Sequence, residues 1–259
     1  MYEAVMIAAT GLQNQQRRLD TIANNVSNVN TTAYKNSRLD FKDALYTAGL
    51  VPARPRTPEP EGNQQKGHGV MVAGITKDYK QGSVIRTDRD LDLAIEGEGF
   101  FALEDTDGNT IYTRNGCFNL SVEIDGVFLV NGNGLYVRDE NDERIQVPEF
   151  ADSISVSENG VIVFSSEDEE TTVTLGIYTF RNLMGLMSAG EGNYSESVAS
   201  GERLPATEAK IMQGVTEASN VNLAEEMTRM IRTQRAFSLS SRALRTADDM
   251  EGIANNMRR

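Results

Sequence analysis

The chain has 259 residues, a formal net charge of −13 and 39% hydrophobic residues. This length suits one or two domains with a real hydrophobic core. The negative charge disfavours nonspecific binding to nucleic acids and to anionic membrane surfaces. The absence of tryptophan argues against a large aromatic-lined pocket, and the single cysteine, Cys117, excludes an intrachain disulfide and a cysteine-based metal cluster.

The first predicted element is a long helix from Tyr2 to about Val29, ended by the polar run that follows. Its apolar residues recur at heptad spacing, which places them on one face, and Gln15 is the only polar residue of that seam. The seam residues that we predict to form an assembly interface are Val5, Leu12, Leu19, Ile22, Val26 and Val29.

A proline-rich and glycine-rich linker is predicted over residues 47–69, since proline at this density is incompatible with helix and with sheet interior. The segment contains Pro52, Pro55, Pro58 and Pro60. Recognition by a polyproline-binding partner is an alternative to a simple spacer.

The middle of the chain, residues 70–206, is predicted to be an antiparallel β domain of sandwich or distorted-barrel type. Short β-prone runs alternate there with Asn-Gly and Asp-Gly turns, which tolerate positive φ. The strand candidates are Val70–Ile75, Ser83–Arg86, Leu91–Ile95, Phe100–Leu103, Thr110–Thr113, Val127–Val130, Leu135–Arg138, Ile154–Val156, Val161–Phe164 and Thr171–Phe180. A return linker is predicted over Glu202–Thr207, and Cys117 is expected to be a buried, unpaired thiol within a strand.

The last predicted element is a helix from about Asn222 to Met257, with Glu225 and Glu226 at the favourable, positive end of its dipole. Its apolar stripe completes the predicted assembly interface, which here comprises Leu223, Met227, Met230, Phe237 and Leu244. The predicted fold class is therefore α+β: long terminal helices packed together in a coiled-coil-like manner, plus the central antiparallel β domain. Residues 1–46 and 207–259 form the predicted terminal helical assembly domain. An intramolecular helical hairpin and a helical surface completed by neighbouring molecules both satisfy these stripes.

Catalytic chemistry has little support in the sequence. His68 is the only histidine, it lies between two glycines of the linker, and it is distant in sequence from Cys117. A Ser-His-Asp or Cys-His pair is therefore not expected. We predict no catalytic, metal-binding or cofactor-binding residues and no cofactor.

Three ordered phrases resemble signatures of the bacterial flagellar rod and hook protein family. They are residues 23–35 (ANNVSNVNTTAYK), residues 91–101 (LDLAIEGEGFF), and residues 219–227 (SNVNLAEEM) with the later QRAF. The motif residues carried over are Asn24, Asn25, Asn28, Asn30, Gly97, Gly99, Phe100, Asn220, Glu225, Gln234 and Arg235. Ala33 stands where the family usually has glycine, and Phe237 stands where tyrosine is commoner.

The resemblance implies a structural subunit of the basal-body rod, outside the cytoplasmic membrane, which is exported without a cleaved signal peptide and stacks into a tubular drive shaft. The length and the proline-rich stretch are most similar to the distal rod type; a proximal rod or hook-type paralogue stays open. The implied partners are copies of itself, other rod and hook subunits, the flagellar export apparatus and a bushing ring, with no nucleic acid and no insertion into a bilayer. A secreted binding module is the alternative from another class.

Overall fold

The structure is a computed structural model that describes residues 2–43, 46–48, 65–67, 69–148, 153–166 and 170–257. Most of the predicted linker, including its four prolines and His68, lies outside the described residues. The predicted fold class is confirmed: an amino-terminal helix and a carboxy-terminal helix pack on each other, and a series of antiparallel strands lies between them in sequence.

Two long helices stand at the ends of the chain, α1 (Tyr2–Ser27) and α2 (Leu223–Met257). The strands of the described residues are β1 (Ser37–Asp43), β2 (Tyr46–Ala48), β3 (Gln65–Gly67), β4 (Val70–Lys77), β5 (Val84–Arg86), β6 (Leu93–Glu96), β7 (Phe100–Glu104), β8 (Thr110–Thr113), β9 (Phe118–Glu123), β10 (Gly126–Asn131), β11 (Tyr136–Val137), β12 (Gln146–Val147), β13 (Ser153–Val156), β14 (Val161–Ser165), β15 (Glu170–Thr174), β16 (Ile177–Phe180), β17 (Met187–Gly190), β18 (Asn193–Ser195), β19 (Arg203–Pro205), β20 (Lys210–Gln213) and β21 (Val215–Glu217).

The chain forms two compact units. The helical unit comprises Met1–Ser27, Ser37–Lys77 and Asn222–Arg259, and the β unit comprises Asn28–Asn36 and Asp78–Val221. Residues 28–36 and 207–221, which the predicted boundaries assign to the terminal segments, thus belong to the β unit by their contacts. Strand β4, which they assign to the β domain, belongs to the helical unit.

Within the helical unit, α1 packs along α2 and also contacts the two-stranded ribbon of β1 and β4. The ribbon is antiparallel and contains an irregularity between Asp40 and Phe41. Helix α1 ends at Ser27, two residues before the predicted end, and a turn follows in which the Thr31 amide donates to the Asn28 carbonyl. The sequence analysis did not predict β1, because only Leu39 and Phe41 mark its inward face.

The β unit contains a large antiparallel sheet with the strand order β12-β10-β11-β7-β8-β18-β17, to which β9, β16 and β19 also pair. A three-stranded sheet, β13-β14-β15, and the pairs β6–β20 and β5–β21 complete it. Two groups of buried apolar side chains fill its interior, one around Phe101, Phe118 and Leu129, the other around Phe100 and Tyr112.

One strand prediction and the predicted return linker need correction. The run Thr171–Phe180 is two strands, β15 and β16, because the chain leaves the three-stranded sheet and joins the large one at Gly176. A Cβ at Gly176 would lie 2.6 Å from the Asp139 carbonyl oxygen, so this crossing requires glycine. The predicted return linker contains β19, whose residues pair with β16.

Candidate functional site

Asn25 ties three elements of the helical unit together. This buried residue lies in the last turn of α1, and its Nδ2 donates to the Ser37 carbonyl at 2.8 Å and to Glu226 Oε2 at 3.3 Å. Its Oδ1 accepts from the Ser37 amide at 3.0 Å. The side-chain amide therefore pairs with the first residue of β1 as a neighbouring strand would, while it also holds the first turn of α2.

The start of α2 is fixed by a cap and by two charge pairs. Asn222 Oδ1 accepts from the amides of Ala224 and Glu225 at 3.1 and 3.3 Å, which satisfies two donors that the helix leaves unpaired. The buried Glu226 carboxylate accepts from Arg229 Nη1 at 2.8 Å, and Glu225 pairs with the same guanidinium. A carboxylate in the first turn is also stabilised by the helix dipole.

Glu217 is the centre of a buried ionic cluster in the β unit. Its Oε1 accepts from Lys35 Nζ at 2.7 Å and from the Gly82 amide at 2.9 Å, and its Oε2 accepts from Arg114 Nε at 2.8 Å. All three charged side chains are buried. Burial alone raises the pKa of Glu217, but the charges and hydrogen bonds of Arg114 and Lys35 outweigh burial and hold the pKa below its ordinary value.

The remaining donors of this cluster reach backbone carbonyls. Arg114 Nη1 donates to the Gly99 carbonyl at 2.8 Å and its Nη2 donates to the Ile95 carbonyl at 3.1 Å. Lys35 Nζ donates to the Lys80 carbonyl at 2.8 Å. The cluster therefore joins the end of the first motif, the glycine turn of the central motif and the strand that precedes the third motif.

Asn220 adds a second tie, between residue 36 and residues 78–80. Its Oδ1 accepts from the Asn36 amide at 2.7 Å, and its Nδ2 donates to the carbonyls of Asp78 and Lys80 at 2.8 and 3.0 Å. The side-chain oxygen thus pairs with a backbone amide and the side-chain nitrogen with two backbone carbonyls. An asparagine suits this position because its amide group offers both an acceptor and two donors.

The predicted motif residues have different roles in the structure. Asn25, Glu225 and Asn220 belong to the networks above, and the Gly99 carbonyl accepts from Arg114. Phe100 is buried against Tyr194 with ring centroids 5.6 Å apart, and Gly97 adopts a φ of 98°. Asn28 accepts from the Thr31 hydroxyl. Asn24, Asn30, Gln234 and Arg235 are exposed.

Arg114 and Glu217, which form the buried cluster with Lys35, were not among the predicted residues. The available signal was a single charged residue placed next to a short β-prone run, Thr110–Thr113 in one case and Val215–Thr216 in the other. That signal does not indicate which residue the charged side chain binds. Lys35 and Glu217 lie 182 residues apart, and a local pattern carries no information over that separation.

Ala33 adopts a left-handed backbone conformation, with a φ of 56°, at the position where the resemblance expects glycine. Its side chain is buried and its amide donates to the Glu217 carbonyl at 2.8 Å. For an L-residue this conformation costs about 1–2 kcal/mol. The backbone thus keeps the glycine-like turn although alanine occupies it.

We expect Ala33→Val to destabilise the β unit by about 2 kcal/mol or more, because a β-branched residue tolerates positive φ poorly and its extra methyls must fit a buried site. Ala33→Gly is the matched variant and should stay within about 1 kcal/mol of the parent, since relief of strain opposes the added entropy of the unfolded chain. Urea unfolding followed by tyrosine signals measures both. Equal stability of the two variants would contradict the left-handed turn.

Cys117 is half-buried in the structure, less buried than predicted, and it forms no disulfide. Burial, followed by the charge of Asp92, raises the pKa of its thiol above the ordinary value. Less thiolate is therefore present at neutral pH, which makes the thiol a slow nucleophile.

The predicted seam follows the partly covered face of α1. Ile22 is buried, and Val5, Leu12, Leu19 and Val26 are half-covered; Val29 is half-covered too but lies beyond the helix, in the β unit. On α2, Met230, Phe237 and Leu244 are half-covered, whereas Leu223 and Met227 are exposed. Gln15 is half-covered, and its Oε1 is buried without a hydrogen-bond partner among the described residues.

Apolar burial differs sharply between the two units. Among the described residues, only Ile22 and Leu39 are fully buried apolar side chains of the helical unit, whereas the β unit has more than twenty. Both helices also expose large apolar side chains: Met6, Ile7, Leu223, Met227, Ile231, Leu239, Met250, Ile253 and Met257. The pairing of α1 with α2 therefore leaves much of their apolar surface in contact with water.

Within the described part of the chain, neither helix is long and apolar enough to cross a membrane. The same residues contain no group of three or more His, Cys, Asp or Glu side chains that could hold a metal ion. The buried polar atoms of the Asn25–Glu226 contact and of the Glu217 cluster form hydrogen bonds and ion pairs between distant segments of the chain.

Three segments of the chain match families of flagellar proteins. The family description "Flagella basal body rod protein" matches residues 6–35, "Flagellar hook protein FlgE/F/G D1 domain" matches residues 94–164, and "Flagellar basal body rod FlgEFG protein C-terminal" matches residues 212–257. The flagellar basal-body rod protein FlgG of Borreliella burgdorferi is 38% identical over 273 residues, which cover 100% of both chains. The chain belongs to the flagellar basal-body rod protein family. It is a structural protein of the flagellar basal body.

Two relatives from Bacillus subtilis help to place the chain within this rod family. The flagellar basal-body rod protein FlgG is 34% identical over 268 residues, and the flagellar hook-basal body complex protein FlhP is 31% identical over 273 residues, each covering 100% of both chains. The predicted resemblance to the rod and hook family, most like the FlgG distal rod type, is confirmed.

Proposed function

We propose that this chain is a distal-rod subunit that self-assembles through its terminal helices into a tubular drive shaft, which transmits torque from the flagellar motor to the hook. The observation that supports this proposal is the helical unit, whose two long helices fully bury hardly any apolar side chain while they expose many. In this role the chain acts mechanically, and the proposal gives it no catalytic, metal-binding or cofactor-binding function.

The unequal lengths of the two helices support the proposal that neighbouring copies cover the exposed apolar side chains of α2. Helix α1 has 26 residues and α2 has 35, and the Asn25–Glu226 contact places the last turn of α1 beside the first turn of α2. The two helices therefore run antiparallel from this contact, and α2 outruns α1. The side chain of Met257, near its end, is 80% exposed.

Assembly would supply the missing stabilisation. Isolated helices are marginal in water, and most helical stability in proteins comes from packing of an apolar face. Full burial of one large aliphatic side chain contributes about 1.5–3 kcal/mol of transfer free energy. The predicted interface residues are Val5, Leu12, Leu19, Ile22, Val26, Val29, Leu223, Met227, Met230, Phe237 and Leu244, and we propose that neighbouring helices cover those that are still accessible.

The proposed partners are copies of this chain and the adjoining rod and hook subunits. The flagellar export apparatus, which would pass the chain outwards without a cleaved signal peptide, and a bushing ring around the rod are further proposed partners. A proximal rod or hook-type paralogue is the second candidate, because the FlhP relative matches the full chain at an identity close to that of FlgG from the same organism.

Hydrogen exchange tests whether the order of the helices depends on assembly. We expect amides of α1 and α2 to exchange fast in the dilute monomer and slowly in the polymer, while β7 and β8 are protected in both, since local stability follows local burial. Mass spectrometry of the two states measures this. Helices that are already fully protected in the monomer would favour a self-contained binding module and contradict the proposal.

A further inference from the structure

The chain passes four times between the helical unit and the β unit. These chain crossings lie at residues 27–28, 36–37, 77–78 and 221–222. Each backbone residue keeps two soft dihedral angles, so an unsupported crossing would bend and twist easily. Force that acts on one unit is carried along the chain to the other by these four short segments. The groups that fix the crossings therefore determine how stiffly the chain carries that force.

Within the helical unit, Asn25 fixes the ends of the crossings. Its side chain donates to the Ser37 carbonyl at 2.8 Å and to the Glu226 carboxylate at 3.3 Å, and it accepts from the Ser37 amide at 3.0 Å. Ser37 in turn pairs with Lys77 in the ribbon of β1 and β4. Asn25 itself stands two residues before Ser27, where α1 ends. One buried side chain thus links, directly or through one strand pair, all four segments that leave the helical unit.

Within the β unit, Asn220 has the corresponding role. Its side chain accepts from the Asn36 amide at 2.7 Å and donates to the carbonyls of Asp78 and Lys80 at 2.8 and 3.0 Å. The Asp78 amide donates to the Asn36 carbonyl at 2.8 Å. Residues 36 and 78, each at the end of a crossing, are therefore bound to each other and to a third segment that leads into α2.

These hydrogen bonds leave almost no free chain at three of the crossings. At 36–37 and at 77–78, one residue is bound within the β unit and the next is bound within the helical unit. At the last crossing, only the buried Val221 separates Asn220 from Asn222, the residue that caps α2. Loss of the Asn25 or the Asn220 side chain would therefore lengthen the unsupported chain at several crossings at once.

We propose that Asn25 and Asn220 are force-transmitting residues that make the four crossings act together when torque passes through the subunit. Hydrogen bonds that are loaded in parallel share the force, whereas untied segments yield one after another. The β unit has its own apolar core and the Glu217 cluster, so its fold does not depend on the half-buried Asn220. This inference rests on the proposed rod function and names the residues through which a subunit passes torque between its two units.

Rotation of single flagellar motors under increasing load tests this role. In a motile bacterium whose rod is built from this chain, beads of increasing size are attached to the flagella, and rod fragments are counted by electron microscopy. We expect Asn220→Ala to give the parental number of rods and the parental speed with small beads. With large beads, rod breakage should rise several-fold above the parent. Asn25→Ser, a change in the other unit that leaves a hydroxyl in the buried site, should show the same dependence on load.

Asn182→Ala is the matched control. Asn182 also belongs to the β unit and also donates to a backbone carbonyl, that of Ala199 at 2.9 Å, but it is distant in sequence from every crossing. This variant should equal the parent at every load. Excess breakage in the control equal to that of Asn220→Ala would overturn the inference, because any lost hydrogen bond would then have the same effect.

The other outcomes separate the inference from the proposed function. Parental breakage of Asn220→Ala and Asn25→Ser at every load would overturn the inference and leave the rod function standing. Rods that are missing or broken in both variants without load would also overturn it, since the two side chains would then serve folding or assembly alone. Load-dependent breakage in only one variant would contradict the shared role. Absence of the unmodified chain from isolated rods would overturn the proposed function as well.

Discussion

Glu217→Gln is expected to lower the free energy of unfolding of the β unit by about 3–5 kcal/mol, because it leaves two buried cations without their counter-charge. Lys35 and Arg114 bind the two oxygens of this carboxylate at 2.7 and 2.8 Å, and all three side chains are buried. The amide of glutamine retains the size of the side chain, so the loss reports charge and not a cavity.

Glu158→Gln is the matched control. Glu158 pairs with Lys210 at 2.9 Å, but both side chains are exposed to water, and such pairs contribute about 0–1 kcal/mol. Urea unfolding monitored by tyrosine fluorescence follows the β unit, which holds six of the eight tyrosines of this tryptophan-free chain. Equal losses in the two variants would show that the cluster does not hold the β unit together.

The same carboxylate gives the β unit a defined response to acid. Because the folded-state pKa of Glu217 is held below its ordinary value, its ionised form stabilises the folded state. This contribution is fully present above the pKa of the unfolded chain and is lost as the pH falls through the folded-state pKa. The stability difference between parent and Glu217→Gln should therefore shrink on acidification.

Leu19→Asp is expected to abolish polymer formation while the β unit remains folded. Leu19 lies half-covered on the seam of α1, where contact with neighbouring helices would remove a new carboxylate from water. Burial of an unpaired charge is strongly unfavourable. Sedimentation and electron microscopy measure assembly, and tyrosine circular dichroism measures the fold of the β unit.

Gln13→Asp is the control for Leu19→Asp, since it adds the same charge at an exposed position of the same helix. This variant should polymerise and support motility. If Leu19→Asp chains also polymerised and supported motility, the seam would not be an assembly surface.

The α+β class and the two terminal helices were predictable from local patterns. Apolar spacing predicted α1 and α2, and Asn222 followed by Glu225 and Glu226 predicted the start of α2 within one residue of Leu223. Turn dipeptides such as Asp125-Gly126 predicted hairpins, because positive φ is a local property of the backbone. The three motifs were sufficient to indicate the family.

The tertiary structure decided which residues meet. Lys35 binds Glu217 across 182 positions and Arg114 binds it across 103, and Asn25 binds Glu226 across 201. No spacing rule connects such positions, since the pairing of distant strands and helices brings them together. The change of sheet at Gly176 and the left-handed turn at Ala33 also depend on neighbours from distant parts of the chain. Sequence by itself thus determined the elements and the faces that must be covered, whereas long-range packing determined the buried polar ties.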